Sequence, residues 1–344
     1  MKKILLYMTD FYFYNNVIIN EIKKKGFDVT WFQDKVSLNN FERFFSKLFK
    51  CYKQKKFNLY FQKTIAKTKE NNFEKIIIIF GGNFFLDKHI KILKKTFPKT
   101  PIIYYAWDSV SNFPKIKKLF SNCDISYSFD YYDSKKYNVN FLPLFYIEDK
   151  SVLQKKYDVS IIMSYYVEKN KNLELVLNKL PNNLNKFFYF KIRDKLYLNR
   201  IKKENKNFYN NYKKYFHFDS LSLEQCKNVF MSSKAVIDTP LPLQSGLTMR
   251  TLEVLSSKTK LITTNDFIEN YNFYNKNNIY IIKKGSCIVP EEFLNSDFDL
   301  LGKIPKEYSI STFVDILLGN VELNEEVYLK KRHEGDYDET IKFR

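Results

Sequence analysis

Short apolar runs alternate with amphipathic stretches from the start of the chain. Ile4 to Met8 is an unbroken apolar run, the pattern of a strand buried on both faces. From Asn15 to Lys25 the apolar positions Val17, Ile18 and Ile22 fall at helical spacing, and Gly26 ends the pattern before a second strand at Phe27 to Phe32. A Lys- and Phe-rich helical stretch runs from about Leu38 to Glu70. It gathers Phe41, Phe44, Phe45, Leu48 and Phe49 on one broad face, which suits a core or a bilayer interface. The strand Lys75 to Phe80 (KIIIIF) then ends in Gly81-Gly82. A helix (Leu86 to Phe97), a strand (Pro101 to Tyr105), a helix (Phe113 to Phe120) and a strand (Asp124 to Phe129) follow.

Leu142 to Tyr146, holding Pro143, leaves this first alternation, and Lys150 to Tyr157 reads as a linker. A second set of strands is expected at Asp158 to Met163, Phe187 to Ile192, Ala235 to Asp238, Lys260 to Thr264 and Ile279 to Ile282. Helices fall between them at Leu173 to Leu180, Leu223 to Met231 and Leu247 to Ser257. Repeated β-α-β units with right-handed crossovers build a parallel sheet covered by helices on both faces. The expectation is therefore an α/β protein of two doubly wound, Rossmann-like domains, 1–149 and 150–322, with a C-terminal helix and polar tail at 323–344. Such sheets bind ligands at the carboxyl ends of their strands, here expected to face each other across a cleft.

Composition supports two cores: 344 residues exceed what one core holds, and 44% are hydrophobic. No stretch of 18 apolar residues is present. The apolar run after Met1-Lys2-Lys3 is cut by Asp10 with no A-x-A site behind it, so neither a membrane span nor a signal peptide is expected. Cys51, Cys123, Cys226 and Cys287 lie far apart, which argues against a disulfide framework or zinc site and fits a reducing cytoplasm. The formal charge of +19 suits attraction to anionic lipid, sugar diphosphates or nucleic acid. A coding bias toward A and T explains much of the same Lys and Asn content. Lysine is spread along the chain and no nucleic-acid module is recognisable, so nucleic acid is the least favoured of these partners.

The richest stretch chemically is Asp238 to Asn265, DTPLPLQSGLTMRTLEVLSSKTKLITTN. A strand ends at Asp238, and Gln244-Ser245-Gly246 followed by Leu247 and Thr248 is expected to open a helix, with Ser245 as cap. Free N–H groups and the dipole at a helix start favour a phosphate, and Gly246 admits close backbone approach. Arg250 and Glu253, three apart, share a helical face. Arg250 can pair with a diphosphate through parallel hydrogen bonds, and Glu253 can accept from ribose hydroxyls. The plainer alternative is a solvated Arg250–Glu253 pair worth a few tenths of a kcal/mol.

The run resembles the donor-binding half of GT-B-fold glycosyltransferases, in particular the CgeB-like group and related capsule and lipopolysaccharide biosynthesis proteins. The resemblance rests on Arg250, Glu253 and Thr263-Thr264. It extends to Tyr271-Asn272-Phe273-Tyr274, Ala106-Trp107-Asp108-Ser109, Ser128-Phe129-Asp130 with Asp133, and Leu142-Pro143-Leu144-Phe145-Tyr146. The chain departs from it where Ile161-Ile162-Met163 replaces Phe-Ile-Gly, and where Ser256-Ser257-Lys258 replaces a Gly-containing turn. Ser245 also replaces the first Glu of the better-known pattern with two Glu eight apart. The resemblance implies a nucleotide-sugar donor, bound as a substrate with no further cofactor, and a saccharide acceptor carried on a lipid. It implies work at the inner face of the plasma membrane, in building a capsule, lipopolysaccharide or exopolysaccharide; the alternative is a non-catalytic nucleotide- or polysaccharide-binding protein of the same fold.

Transfer also needs an activated acceptor hydroxyl. Asp108, Asp130 and Asp133 follow expected strands and are the candidate bases, with turn-forming and helix-capping as the competing roles. Trp107 offers a flat face to a sugar ring, or is core. Gly81 and Gly82 let backbone approach donor phosphates, or simply turn the chain. Two D-x-D strings, Asp297-Phe298-Asp299 and Asp336-Tyr337-Asp338, sit too far along the chain for the metal site of a GT-A enzyme. His89, His217 and His333 are isolated, and no metal site is expected. No G-x-S-x-G, P-loop or G-x-G-x-x-G occurs, which removes the usual support for hydrolase, NTPase and dehydrogenase readings.

Overall fold

The computed structural model describes residues 2–10, 13–38, 42, 49, 51–80, 84–148, 153–167, 170–241 and 244–330. The chain forms two units, Met1–Pro143 with Ile310–Glu325, and Leu144–Ser309 with the chain from Glu326. Each contains a six-stranded, all-parallel sheet. The expected fold class of two doubly wound α/β domains is the one observed.

In the first unit the strands are β1 (Lys3–Met8), β2 (Asp28–Phe32), β3 (Lys75–Ile79), β4 (Ile102–Ala106), β5 (Ile125–Ser128) and β6 (Asn140–Phe141), in the order β2-β1-β3-β4-β5-β6. The helices are α1 (Tyr14–Lys24), α2 (Tyr52–Thr68), α3 (Asp87–Thr96), α4 (Ile116–Phe120) and α5 (Tyr131–Tyr137). Alternate residues of the strands sort by face. Leu5, Tyr7, Ile76, Ile78, Ile102 and Tyr104 pack under Phe57 and Phe61 of α2, Ile90 and Leu93 of α3, and Ile116 and Leu119 of α4. On the other face Tyr105 meets Phe313 edge-on at 4.9 Å.

Phe313 belongs to α12 (Ile310–Leu318), and this corrects the sequence reading, which left 310–322 with the second domain. Lys25, just past α1, donates to Asp315 at 2.5 Å and Ser311 at 2.8 Å, pinning α12 beside α1. Phe313, Val314, Ile316, Leu317 and Leu318 are all buried, so the helix covers a sheet face that would otherwise be wet. The C-terminal helix expected within 323–344 is a single 3-10 turn, Glu325–Val327, as far as Lys330, and the remainder lies outside the described residues. Of the long helix expected from Leu38, the described part is α2, together with isolated residues before it.

The second unit holds β7 (Tyr157–Ser164), β8 (Lys186–Lys191), β9 (Phe216–His217), β10 (Ser233–Asp238), β11 (Lys260–Thr263) and β12 (Ile279–Ile281), in the order β12-β11-β10-β7-β8-β9. Its helices are α6 (Asn170–Leu177), α7 (Lys195–Glu204), α8 (Lys206–Tyr212), α9 (Leu223–Met231), α10 (Met249–Ser256) and α11 (Glu291–Asn295). The order reverses between β7 and β10, so the crevice outside the carboxyl ends of those strands is the unit's topological switch point. The sequence reading did not foresee α5, α7, α8 or α11. Asp130 and Asp194 cap α5 and α7 by accepting from Asp133 and Tyr197 N–H groups.

Candidate functional site

Two groups of side chains gather at carboxyl ends of strands, one in each unit. In the second unit β10 delivers Asp238, 3% exposed, to the switch point. Its Oδ2 accepts from the hydroxyls of Thr248 and of Thr251 (2.9 Å), while Oδ1 stands 3.6 Å from Nη1 of Arg250. One carboxylate thus gathers three residues of the first turn of α10. Thr248 is the helix cap, its hydroxyl oxygen accepting from the N–H of Thr251 at 3.2 Å.

This corrects the expectation that Ser245 caps the helix. Ser245 is 1% exposed and Leu247 2%, and both lie inside the preceding turn. The Asn265 amide, after β11, donates to the carbonyls of Ser245 (3.3 Å) and Gly246 (3.4 Å), and Gln244 Nε2 donates to Gly246 at 2.8 Å. The Ser-Gly turn is held by side-chain amides, and the helix tip lies at Thr248. Gln244, Thr248, Arg250 and Glu253 are the half-buried residues of the expected donor set; Ser245, Gly246 and Leu247 form its buried floor.

Arg250 is held between Phe230 and Asp238. Its guanidinium lies 5.8 Å from the Phe230 ring centre, its side chain is 26% exposed, and its one ion pair given above is with Asp238. Nε is buried with no hydrogen-bond acceptor. An orphaned buried N–H costs about 1–3 kcal/mol, so an anion reaching the guanidinium would recover that energy. Thr264 Oγ1, beyond the end of β11, is likewise buried without a partner. Burial raises the Cys226 thiol pKa on α9, with Arg250 drawing it down and Glu253 pushing it up. Arg250 and Glu253 are both half-buried.

In the first unit Trp107 and Asp108 follow β4, both half-buried. The Trp107 ring lies 5.9 Å from Tyr14 and 6.2 Å, edge-on, from Tyr105. Asp108 and Asp34 both push the Tyr104 hydroxyl upward in pKa, after the larger effects of burial and Cys123. Asp130 is 1% exposed and is spent on capping α5, the competing role weighed for it above. Asp133, 8% exposed, accepts from the N–H of Val110 at 2.7 Å and so ties α5 to the loop carrying Trp107 and Asp108. Burial, then the charge of Asp130, raises its pKa to about 6. Gly81 and Gly82 lie outside the described residues.

Asp299 of the first D-x-D string accepts from Asn275, Asn277 and the Leu301 N–H, as a turn former does. The second string and His333 lie outside the described residues. No group of three or more His, Cys, Asp or Glu side chains among the described residues is arranged to hold a metal ion. The residue the sequence reading passed over is Asp238, noted only as a strand end. A carboxylate ending an apolar strand, ahead of T-x-R-T, was the available signal.

The fold is that of a two-domain Rossmann-like protein, the class called GT-B. No protein-family profile and no curated protein matches the sequence. Solved structures do resemble it in fold. Anabaena HepE in complex with UDP-glucose has a TM-score of 0.56 at 8% identity, covering 93% of this chain and 100% of that one. Methanocaldococcus jannaschii UDP-GlcNAc 2-epimerase, in complex with UDP-GlcNAc and UDP, has a TM-score of 0.54 at 12% identity, covering 92% and 99%.

Proposed function

We propose that the protein is a glycosyltransferase that takes a sugar from a nucleotide-diphosphate donor held by the second unit. The observation carrying this reading is the Asp238-organised tip of α10, which presents a helix N-terminus and a guanidinium with an orphaned N–H at the switch point of a Rossmann sheet. The fold-level similarity to proteins solved with UDP and UDP-sugars supports it. In the reaction Arg250 and the α10 dipole stabilise the negative charge that builds on the departing diphosphate. Glu253 accepts from ribose hydroxyls. No further cofactor or metal is invoked, the donor being a substrate. On the acceptor side Trp107 stacks against a sugar ring and Asp108 accepts the attacking hydroxyl's proton or orients it.

The finer reading is membership of the CgeB-like group. The acceptor is then a lipid-linked saccharide at the inner face of the plasma membrane, and the product a capsule, lipopolysaccharide or exopolysaccharide chain. The similarity to the archaeal epimerase supports a second reading, in which the same donor is isomerised without an acceptor.

A thermal-shift panel of nucleoside diphosphates and nucleotide sugars tests the site. Saturation at a hundred times Kd stabilises by about 2.7 kcal/mol, or roughly 5–10 °C for a domain of this size. Absence of any shift across the panel would sink the donor reading. Mass spectrometry of products from the stabilising sugar then separates transfer, epimerisation and plain binding.

A further inference from the structure

The positive charge is concentrated in one segment of the chain, and the fold gathers that segment onto one face. Between positions 52 and 120 there are fifteen lysines, no arginine and four acidic residues, a surplus of eleven out of the chain's nineteen. This segment contains α2, α3 and α4, which pack side by side on one face of the first sheet through Phe57, Ile90 and Ile116. Their apolar sides are used there, so the lysines are left on the outer surface of the layer. Lys55, Lys63 and Lys67 of α2 and Lys91 and Lys95 of α3 are all exposed. Between them stand Leu59, 61% exposed, and Ile92, 37% exposed.

We propose that this outer surface of α2, α3 and α4 is the docking face for an anionic lipid bilayer. It gives residues to the membrane half of the function proposed above and stands apart from the donor site, because lipid binding needs no turnover. Three features select lipid as the occupant. The three helices carry eleven lysines against one acidic residue, Asp87; Lys56 and Lys94 pair with Glu42 and Asp124, and the other lysines complement a negative headgroup layer within a Debye length of about 8–10 Å. The side chains interleaved with the lysines are aliphatic and can enter the headgroup boundary, as Leu59 and Ile92 would. Nucleic acid would instead favour arginine, with its fork of donors, and exposed aromatic rings for stacking.

The test is co-sedimentation of the full chain with vesicles of phosphatidylcholine containing roughly 30% phosphatidylglycerol, in about 0.1 M salt. Binding is expected there and not with phosphatidylcholine alone. Each lysine that reaches the headgroups multiplies affinity about fivefold. The variant Lys55→Glu/Lys63→Glu/Lys91→Glu/Lys95→Glu should therefore lose more than about a hundredfold. A control, Lys195→Glu/Lys203→Glu/Lys206→Glu/Lys213→Glu, makes the same charge change on α7, α8 and the turn after it, and should keep most of the binding. Circular dichroism melting checks that both variants fold. Equal losses in the two variants would overturn the proposal in favour of diffuse net charge. Equal binding to neutral vesicles, no binding to anionic ones, or tighter binding to a short DNA duplex than to anionic vesicles would each overturn it too. Donor-induced stabilisation, measured in parallel, reports on the sugar site alone.

Discussion

Asp238→Ala is the most searching test of the strand-end network. The carboxylate is 3% exposed and accepts hydrogen bonds from the hydroxyls of Thr248 and Thr251, the latter itself 2% exposed. A hydrogen bond to a charged acceptor contributes about 1.5–3 kcal/mol, and a buried hydroxyl left without a partner loses that and its hydration. The pair with Arg250, at 3.6 Å and a quarter exposed, adds at most about 1 kcal/mol. The expected cost is about 3–5 kcal/mol. For a domain of this size that is a fall in Tm of roughly 6–20 °C by calorimetry. Asp238→Asn keeps an acceptor in place and should recover about half of the loss. In a double-mutant cycle, Asp238→Ala with Thr251→Val should couple by about 1.5 kcal/mol or more. A fall of less than about 2 °C for Asp238→Ala, with no coupling to Thr251, would refute the claim that this carboxylate organises the tip of α10.

Other outcomes follow from single side chains. Arg250→Ala should weaken binding of the stabilising nucleotide roughly 10–100-fold by calorimetry, and Glu253→Ala should weaken nucleotide sugars sharply while leaving inorganic pyrophosphate unaffected. Burial among Phe57, Phe61 and Phe85 lowers the His89 pKa from 6.5 to about 4. The unfolded chain then takes up the proton first, so stability falls as pH drops from 6.5 through 4, and a His89→Gln variant should show a flatter urea midpoint over that window. Asp133 behaves oppositely: its carboxyl is raised from 3.8 to about 6, so its contribution is fully present below pH 3.8 and is lost as pH rises through 6. Asp133→Asn should remove that slope in melts taken across the same range.

The sequence by itself determined the central strands of both sheets and most of the helices that cover them, though not α5, α7, α8 or α11, because the alternation of buried apolar runs with amphipathic stretches is a local property that each segment carries alone. Ile4 to Met8 and Lys75 to Ile79 can only be strands buried on both faces, and the turn of α10 puts Arg250 and Glu253 on one side wherever that helix is placed. Tertiary structure decided what depends on partners distant in sequence. Ser245 and Thr248 are both good capping residues, and the choice went to Thr248 because burial of Leu247 and the reach of Asp238 fix where the helix begins. The helix at Ile310 follows the second unit in sequence yet covers the first sheet, since an apolar face names no partner until Tyr105 and Lys25 meet it. The lysines crowded between 52 and 120 became a basic layer only when three helices turned their Phe, Ile and Leu side chains to the same sheet and left their charges together on the outside.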